Sequence, residues 1–137
     1  MDIPILDKSK YLKGLLVIAK KDNQLNEQEK KFIRGIANKL GFATDFYEDT
    51  LKGLMSNKYI SEDPVEFSDK KIAQSFVTDG LRLAIADEVV TENEIKWLKE
   101  TAAANGLEDS WFNEKLKLLK ETPSKSIFTE YALYSII

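Results

Sequence analysis

Two short acidic turns carry the side chains best suited to chemistry in this 137-residue chain. The first contains Asp22 and Glu29, and the second contains Asp87 and Glu94, so one Asp-to-Glu spacing occurs twice, 65 residues apart. Carboxylates near helix ends can bind a hard divalent cation through their oxygens, or they can serve only to satisfy backbone N–H groups. The repeated spacing therefore has two interpretations, a cation site and a pair of helix caps.

Composition limits the chemistry further. The sequence contains no His and no Cys, which excludes a Ser-His-Asp triad, a thiolate nucleophile and a soft metal site. A metal bound by oxygen ligands alone would be calcium, magnesium or manganese. The net charge of −3 argues against nucleic-acid binding, which needs a basic surface. No apolar run could span a membrane and no secretory signal is visible, so we expect a cytoplasmic protein without membrane insertion.

The capping interpretation accounts for both Glu residues. Asn26 and Thr91 each stand three positions before Glu29 and Glu94. In a capping box, the Asn or Thr side chain accepts from the backbone N–H of the Glu three residues on. The Glu side chain in turn accepts from the backbone N–H of the Asn or Thr. Glu29 and Glu94 also suit the positive end of the helix dipole.

The two Asp residues are less easily explained as caps. Asp22 and Asp87 follow Ala19 and Ala84 by three positions, which keeps each carboxylate on the inward side of its helix. A carboxylate placed there needs a backbone N–H, a Lys or a cation beside it. With the two turns related by symmetry, the predicted metal ligands are Asp22, Glu29, Asp87 and Glu94. A catalytic carboxylate pair is not favoured, because no electrophile stabiliser accompanies them.

Hydrophobic spacing predicts helices along most of the chain. Asp7 is predicted to cap the first helix, and Ser68 or Asp69 to open the fourth. Gly14 and Gly80 are expected to allow close helix contacts. The stretch 56–68 connects two halves, and residues 124–136 are expected to form a short last helix that docks on the core.

The 65-residue offset also aligns core and turn residues. It pairs Phe32 with Trp97 and Gly41 with Gly106, each glycine standing where a left-handed helix end is wanted. We therefore expect two copies of a three-helix unit, at about residues 7–55 and 69–120, within a single domain 1–137. The predicted fold is an all-α bundle of about seven helices with pseudo-two-fold symmetry.

The stretches AKKDNQLNEQEKKFIRGIANKLGF and AIADEVVTENEIKWLKETAAANGL both resemble the repeated motif of the TerB-like family, which is named from tellurite-resistance operons. The matching residues are Asp22, Leu25, Glu29 and Phe32 in the first copy, and Asp87, Val90, Glu94 and Trp97 in the second. The Gly that often follows the Asp in the family is replaced by Asn23 and Glu88. The resemblance implies a helical bundle, a divalent-cation site in the acidic turns, and a place in bacterial stress-response systems, partly near membrane complexes.

These observations favour a non-enzymatic, stress-associated module that binds a divalent cation and has protein partners. The alternative is a protein-interaction adaptor in which the acidic turns are only helix caps. A response of stability to cations separates the two. Tellurite itself is not inferred from the family name.

Overall fold

The computed structural model describes residues 2–21, 27–53, 62–86, 92–121 and 131–137. Every secondary-structure element within these ranges is a helix, so the predicted all-α class is confirmed. The helices are α1 (Ile5–Lys21), α2 (Glu27–Leu40), α3 (Thr44–Gly53), α4 (Lys70–Ala86), α5 (Glu92–Ala104), α6 (Asp109–Glu121) and a 3₁₀ helix (Ala132–Ser135). None of these described helices is both long and apolar enough to cross a membrane.

The two 17-residue helices, α1 and α4, pack against each other at the centre. Both α2 and α5 contact this central pair, α3 packs on α2, and α6 packs on α4 and α5. A Cβ atom added to Gly14 would lie 2.3 Å from Cζ of Phe76, and one added to Gly80 would lie 2.7 Å from Cδ2 of Leu98. The prediction that these glycines allow close helix contacts is confirmed.

Helices α2 and α5 end in the same way. Gly41 and Gly106 have φ angles of 88° and 75°, a region that glycine enters without steric cost. The N–H of Phe42 donates to the carbonyl of Ala37 at 3.0 Å. The equivalent bond in α5 joins the N–H of Leu107 to the carbonyl of Ala102 at 2.9 Å. Each helix therefore closes with a Schellman motif.

The predicted helix starts have different outcomes. Asp69 caps α4, since its Oδ1 accepts from the N–H of Lys71 at 2.7 Å. The prediction that Asp7 caps α1 is wrong, because the carbonyl of Pro4 already accepts from Lys8 and the helix begins upstream of Asp7. The buried Asp7 carboxylate instead accepts from the backbone N–H of Ser68 at 3.1 Å and from its hydroxyl.

Side chains hold the irregular segment 62–69, which precedes α4, in place. Trp97 donates its indole N–H to the carbonyl of Glu62 at 2.8 Å. The Asn105 side-chain amide donates to the carbonyl of Val65 and accepts from the N–H of Phe67, both at 2.8 Å. Lys10 and Asp7 of α1 bond the backbone of Glu66 and Ser68 in the same segment, so side chains from both sides hold it, and Val65 packs into the core.

Residues 131–137 form the C-terminal segment. Its Leu133 is fully buried in the core, which confirms the predicted docking of this end of the chain. The predicted helix 124–136 falls partly outside the described residues. In the described part, Tyr131 is extended, with φ −114° and ψ 133°, and only Ala132–Ser135 forms a 3₁₀ helix.

Candidate functional site

Two of the four predicted metal ligands, Glu29 and Glu94, lie in the first turns of α2 and α5. Both side chains are buried, with relative exposures of 2% and 1%. Helical spacing places Glu29 on the same face as the buried Phe32, and Glu94 on the same face as the buried Trp97. Each carboxylate is therefore turned inward at the positive end of a helix, where the dipole favours negative charge.

The other two predicted ligands, Asp22 and Asp87, lie outside the described residues, as do the predicted cap residues Asn26 and Thr91. Among the side chains that the structure does describe, no three acidic groups come together closely enough to hold a metal ion. A cation site of the predicted kind therefore depends on Asp22 and Asp87, and it stays a prediction.

A further buried carboxylate, Asp79 of α4, was not predicted from the sequence. It is fully buried and collects hydrogen bonds from two directions. The hydroxyl of Tyr11 on α1 donates to Oδ2 at 2.5 Å. The N–H groups of Ala132 and Leu133 donate to Oδ1 and Oδ2 at 2.6 and 3.1 Å. The carboxylate of Asp79 therefore caps the 3₁₀ helix and ties α1 to the C-terminal segment.

Two more side chains complete the Asp79 cluster. Arg82, one turn along α4, places Nη1 3.5 Å from Oδ1 of Asp79. Ser75, one turn before, shares a 2.8 Å hydrogen bond with the hydroxyl of Tyr11. The result is a polar group of four side chains inside an otherwise apolar helix interface. Burying these groups would be unfavourable without partners, and the hydrogen bonds among them supply those partners.

Burial governs the ionisation of this cluster. Removal from water raises the pKa of Asp79 from 3.8 to about 6, although the hydrogen bonds from Tyr11 and Ala132 and the charge of Arg82 oppose the rise. Burial, followed by the neighbouring Asp79 carboxylate, raises the pKa of Tyr11 well above 10.0. Tyr11 thus stays protonated and remains a hydrogen-bond donor to Asp79.

One sequence signal could have identified Asp79. It stands on the apolar stripe of α4, three positions after Phe76 and four before Leu83, both of which are buried. An acidic residue on such a stripe must find partners inside the protein. The sequence does not reveal those partners, because Tyr11 and Leu133 lie 68 and 54 positions away.

Comparison with known proteins adds no assignment to these sites. No family model, no curated protein and no solved structure matches the chain. Functional inference therefore starts from the two buried Glu residues, the acidic pattern around them and the cluster at Asp79.

Proposed function

We propose that this protein is a non-enzymatic, TerB-like helical module that binds one divalent cation between two acidic turns. The turns would contribute Asp22 and Glu29 from one half, and Asp87 and Glu94 from the other. The two halves would be copies of a three-helix unit related by a pseudo-two-fold axis. The described residues support the duplication and the symmetry, and the burial of Glu29 and Glu94 supports the cation site.

Matching helix ends support the duplication. The Schellman bonds from Phe42 to Ala37 and from Leu107 to Ala102 differ by 65 positions at both partners. The buried acidic residues Glu29 and Glu94 differ by the same offset. Matching details at both ends of one helix are harder to obtain by chance than a shared apolar stripe.

Contacts across the centre support the symmetry. Tyr11 and Phe76 are related by the offset, and their rings meet edge to face with centroids 5.3 Å apart. A two-fold axis through that pair would exchange the contact between Gly14 and Phe76 for one between Asp79 and Tyr11. Both contacts exist: Phe76 covers Gly14, and Tyr11 donates to Asp79.

The observation that carries the cation proposal is the burial of Glu29 and Glu94. An ionised Glu is rarely removed from water so completely without strong compensation. Both stand seven residues after an Asp at the end of the preceding predicted helix. Four carboxylates supply enough oxygen ligands for calcium, magnesium or manganese. The absence of His and Cys from the sequence disfavours the softer transition metals.

The complete burial of Asp79 and Tyr11 supports a non-enzymatic role. Asp79 and Tyr11, whose pKa values are raised, are both fully buried, so a substrate cannot reach either group. Their hydrogen bonds go to structural partners in α1, α4 and the C-terminal segment. The TerB-like resemblance supports a place in a bacterial stress response with protein partners.

A thermal melt of chelator-stripped protein tests the cation site. We expect one ion among calcium, magnesium and manganese to raise the melting temperature selectively. Ligand at about a hundred times its dissociation constant adds about 2.7 kcal/mol, or roughly 5–15 °C for a domain of this size. The variants Asp22→Asn and Asp87→Asn should each lose the shift. Asp45→Asn, which changes an exposed carboxylate in the first turn of α3, should keep it.

A melting temperature that no ion changes would contradict the cation site. The acidic turns would then be helix caps, and the protein-interaction adaptor would become the better proposal. In that case Asn26→Ala or Thr91→Ala should each cost about 0.5–2 kcal/mol of stability, as the loss of an N-cap does.

A further inference from the structure

An open groove lies between α4, α6 and the C-terminal segment, and no residue of the acidic turns is among its described lining. Its volume is about 680 Å³, which falls within the range of small-molecule sites. Helix α4 forms the floor, Trp111 and Lys115 of α6 form one wall, and Tyr131 and Tyr134 stand on the other.

The described lining of this groove is positively charged, whereas the whole chain is negatively charged. Lys71, Arg82 and Lys115 line it, and no Asp or Glu is found among its described lining residues, whereas the chain has a net charge of −3. Asp79 lies beneath the surface and orients Arg82 through their 3.5 Å ion pair. Within the described part of the chain, neither Lys71 nor Lys115 forms an ion pair. Such a concentration of positive charge in a concave site attracts an anion.

Aromatic side chains stand on both walls. Trp111 is half-buried on the α6 side. Tyr131 and Tyr134 lie on the opposite side, with their ring centroids 5.0 Å apart. Tyr131 also packs against the buried ring of Phe32, at 4.8 Å between centroids, which fixes its position. Planar ligand groups stack or pack edge-on against such rings.

The groove is already formed in the folded chain. The bonds from the N–H groups of Ala132 and Leu133 to Asp79 hold the C-terminal wall on α4. Leu133 is fully buried beneath that wall. A site whose walls are held in this way does not have to be ordered when a ligand binds, which favours affinity.

We propose that this groove binds a small molecule that joins an anionic group to a planar ring, the chemistry of a nucleoside phosphate. Lys71 and Lys115 contact the phosphate, because of the three cations that line the groove they are the two without a carboxylate partner among the described residues. The base lies against the aromatic walls. This site is independent of the proposed cation site, since the two share no residue.

Isothermal titration of the full chain with AMP tests the proposal, with adenosine and inorganic phosphate as the two separated halves of the ligand. We expect AMP to bind at least about tenfold more tightly than either half, because charge-assisted bonds and stacking act together. Lys71→Ala and Lys115→Ala should each weaken AMP binding by about tenfold. Lys117→Ala is the matched control, since Lys117 is an exposed lysine of α6 that is not part of the groove lining.

Three outcomes would overturn this assignment. AMP that produces no binding heat at millimolar concentration would show that the groove does not take this class of ligand. Inorganic phosphate that binds as tightly as AMP would show that the rings play no part. An equal loss of affinity in Lys117→Ala would show that overall charge, rather than the groove, attracts the nucleotide.

Discussion

Two central contacts of the bundle stand at positions related by the 65-residue offset, yet they differ in chemistry. In one, Gly14 of α1 leaves room for the ring of Phe76 on α4. In the other, Asp79 of α4 accepts a hydrogen bond from Tyr11 of α1. Position 79 corresponds to position 14, and position 76 corresponds to position 11. The first contact is apolar and tightly packed, and the second is polar and satisfied by several hydrogen bonds.

The difference arises because the C-terminal segment packs on Asp79. Asp79 also accepts from the N–H groups of Ala132 and Leu133, so its carboxylate caps the 3₁₀ helix of the C-terminal segment. Burying a carboxylate there is tolerated because three donors and Arg82 compensate it. A polar residue inside a helix interface thus marks the place where a third element docks. The contact at Gly14 is made by the Phe76 ring, which also packs on Trp97 of α5, so its neighbours are all apolar or aromatic.

The largest effect should come from removing the carboxylate. Asp79→Ala leaves the N–H groups of Ala132 and Leu133 without their acceptor, and it leaves the Tyr11 hydroxyl with Ser75 as its remaining partner. We expect a loss of about 3–5 kcal/mol in the free energy of unfolding, the cost of breaking a buried polar network from one side. Urea denaturation at pH 7 measures it. Asp49→Ala, at an exposed site on α3, should change stability by less than about 0.5 kcal/mol.

A loss at Asp79→Ala no larger than the loss at Asp49→Ala would contradict the docking role of the carboxylate. A second readout then separates docking from packing. The fluorescence or limited proteolysis of the C-terminal segment should report its release in Asp79→Ala, while the helical circular dichroism of the bundle is retained.

Acidification should reveal the same carboxylate through its raised pKa. The pKa of Asp79 is about 6 in the folded protein, against 3.8 for an unperturbed Asp. The folded state therefore binds this proton more tightly than the unfolded state does. This group therefore stabilises the fold increasingly as the pH falls from about 7 to about 4, by on the order of 3 kcal/mol. The groups that face it are Tyr11 from α1, Arg82 from α4 and the C-terminal N–H groups.

Urea denaturation of the wild type and of Asp79→Asn across that pH range isolates this effect from the other carboxylates. The wild type should gain stability relative to the variant as the pH falls. A constant difference between the two proteins, or a relative loss for the wild type, would contradict a raised pKa at Asp79.

A smaller effect is expected on the apolar side of the comparison. In Gly14→Ala the new methyl group would lie 2.3 Å from Cζ of Phe76, so the ring or the helix must move. Overpacking of this kind costs about 1–3 kcal/mol. The double variant Gly14→Ala with Phe76→Leu should recover part of the loss, since the smaller side chain removes the overlap. Because Phe76→Leu itself costs stability, that single variant is the reference. A cost of Gly14→Ala that is the same in the wild type and in the Phe76→Leu background would show that Phe76 is not the obstacle.

Features set by neighbouring residues could be predicted from the sequence. Gly41 and Gly106 end α2 and α5 because a left-handed residue follows the last turn. Asp69 caps α4 through a bond two positions away. The inward position of Glu29 and Glu94 follows from helical periodicity. Each of these signals lies within a few residues of the structure that it determines.

Features set by distant residues could not be predicted in this way. Asp7 has a capping residue's chemistry, but its partner Ser68 is 61 positions away, so local spacing predicts the wrong role for it. The docking partners of Asp79 lie 53 or more positions from it. The groove beside Trp111 exists only once the C-terminal segment is placed on α4. Pairing of this kind depends on the whole bundle, and local spacing does not encode it.

The cation-binding stoichiometry tests the central proposal most directly. Isothermal titration of chelator-stripped protein with calcium, magnesium and manganese gives both the number of ions bound per chain and their affinity. A single shared site predicts one ion per chain, and it predicts that Asp22→Asn and Asp87→Asn each abolish binding. Two ions per chain, a loss in only one variant, or no binding by any of the three ions would contradict a site built jointly from both acidic turns.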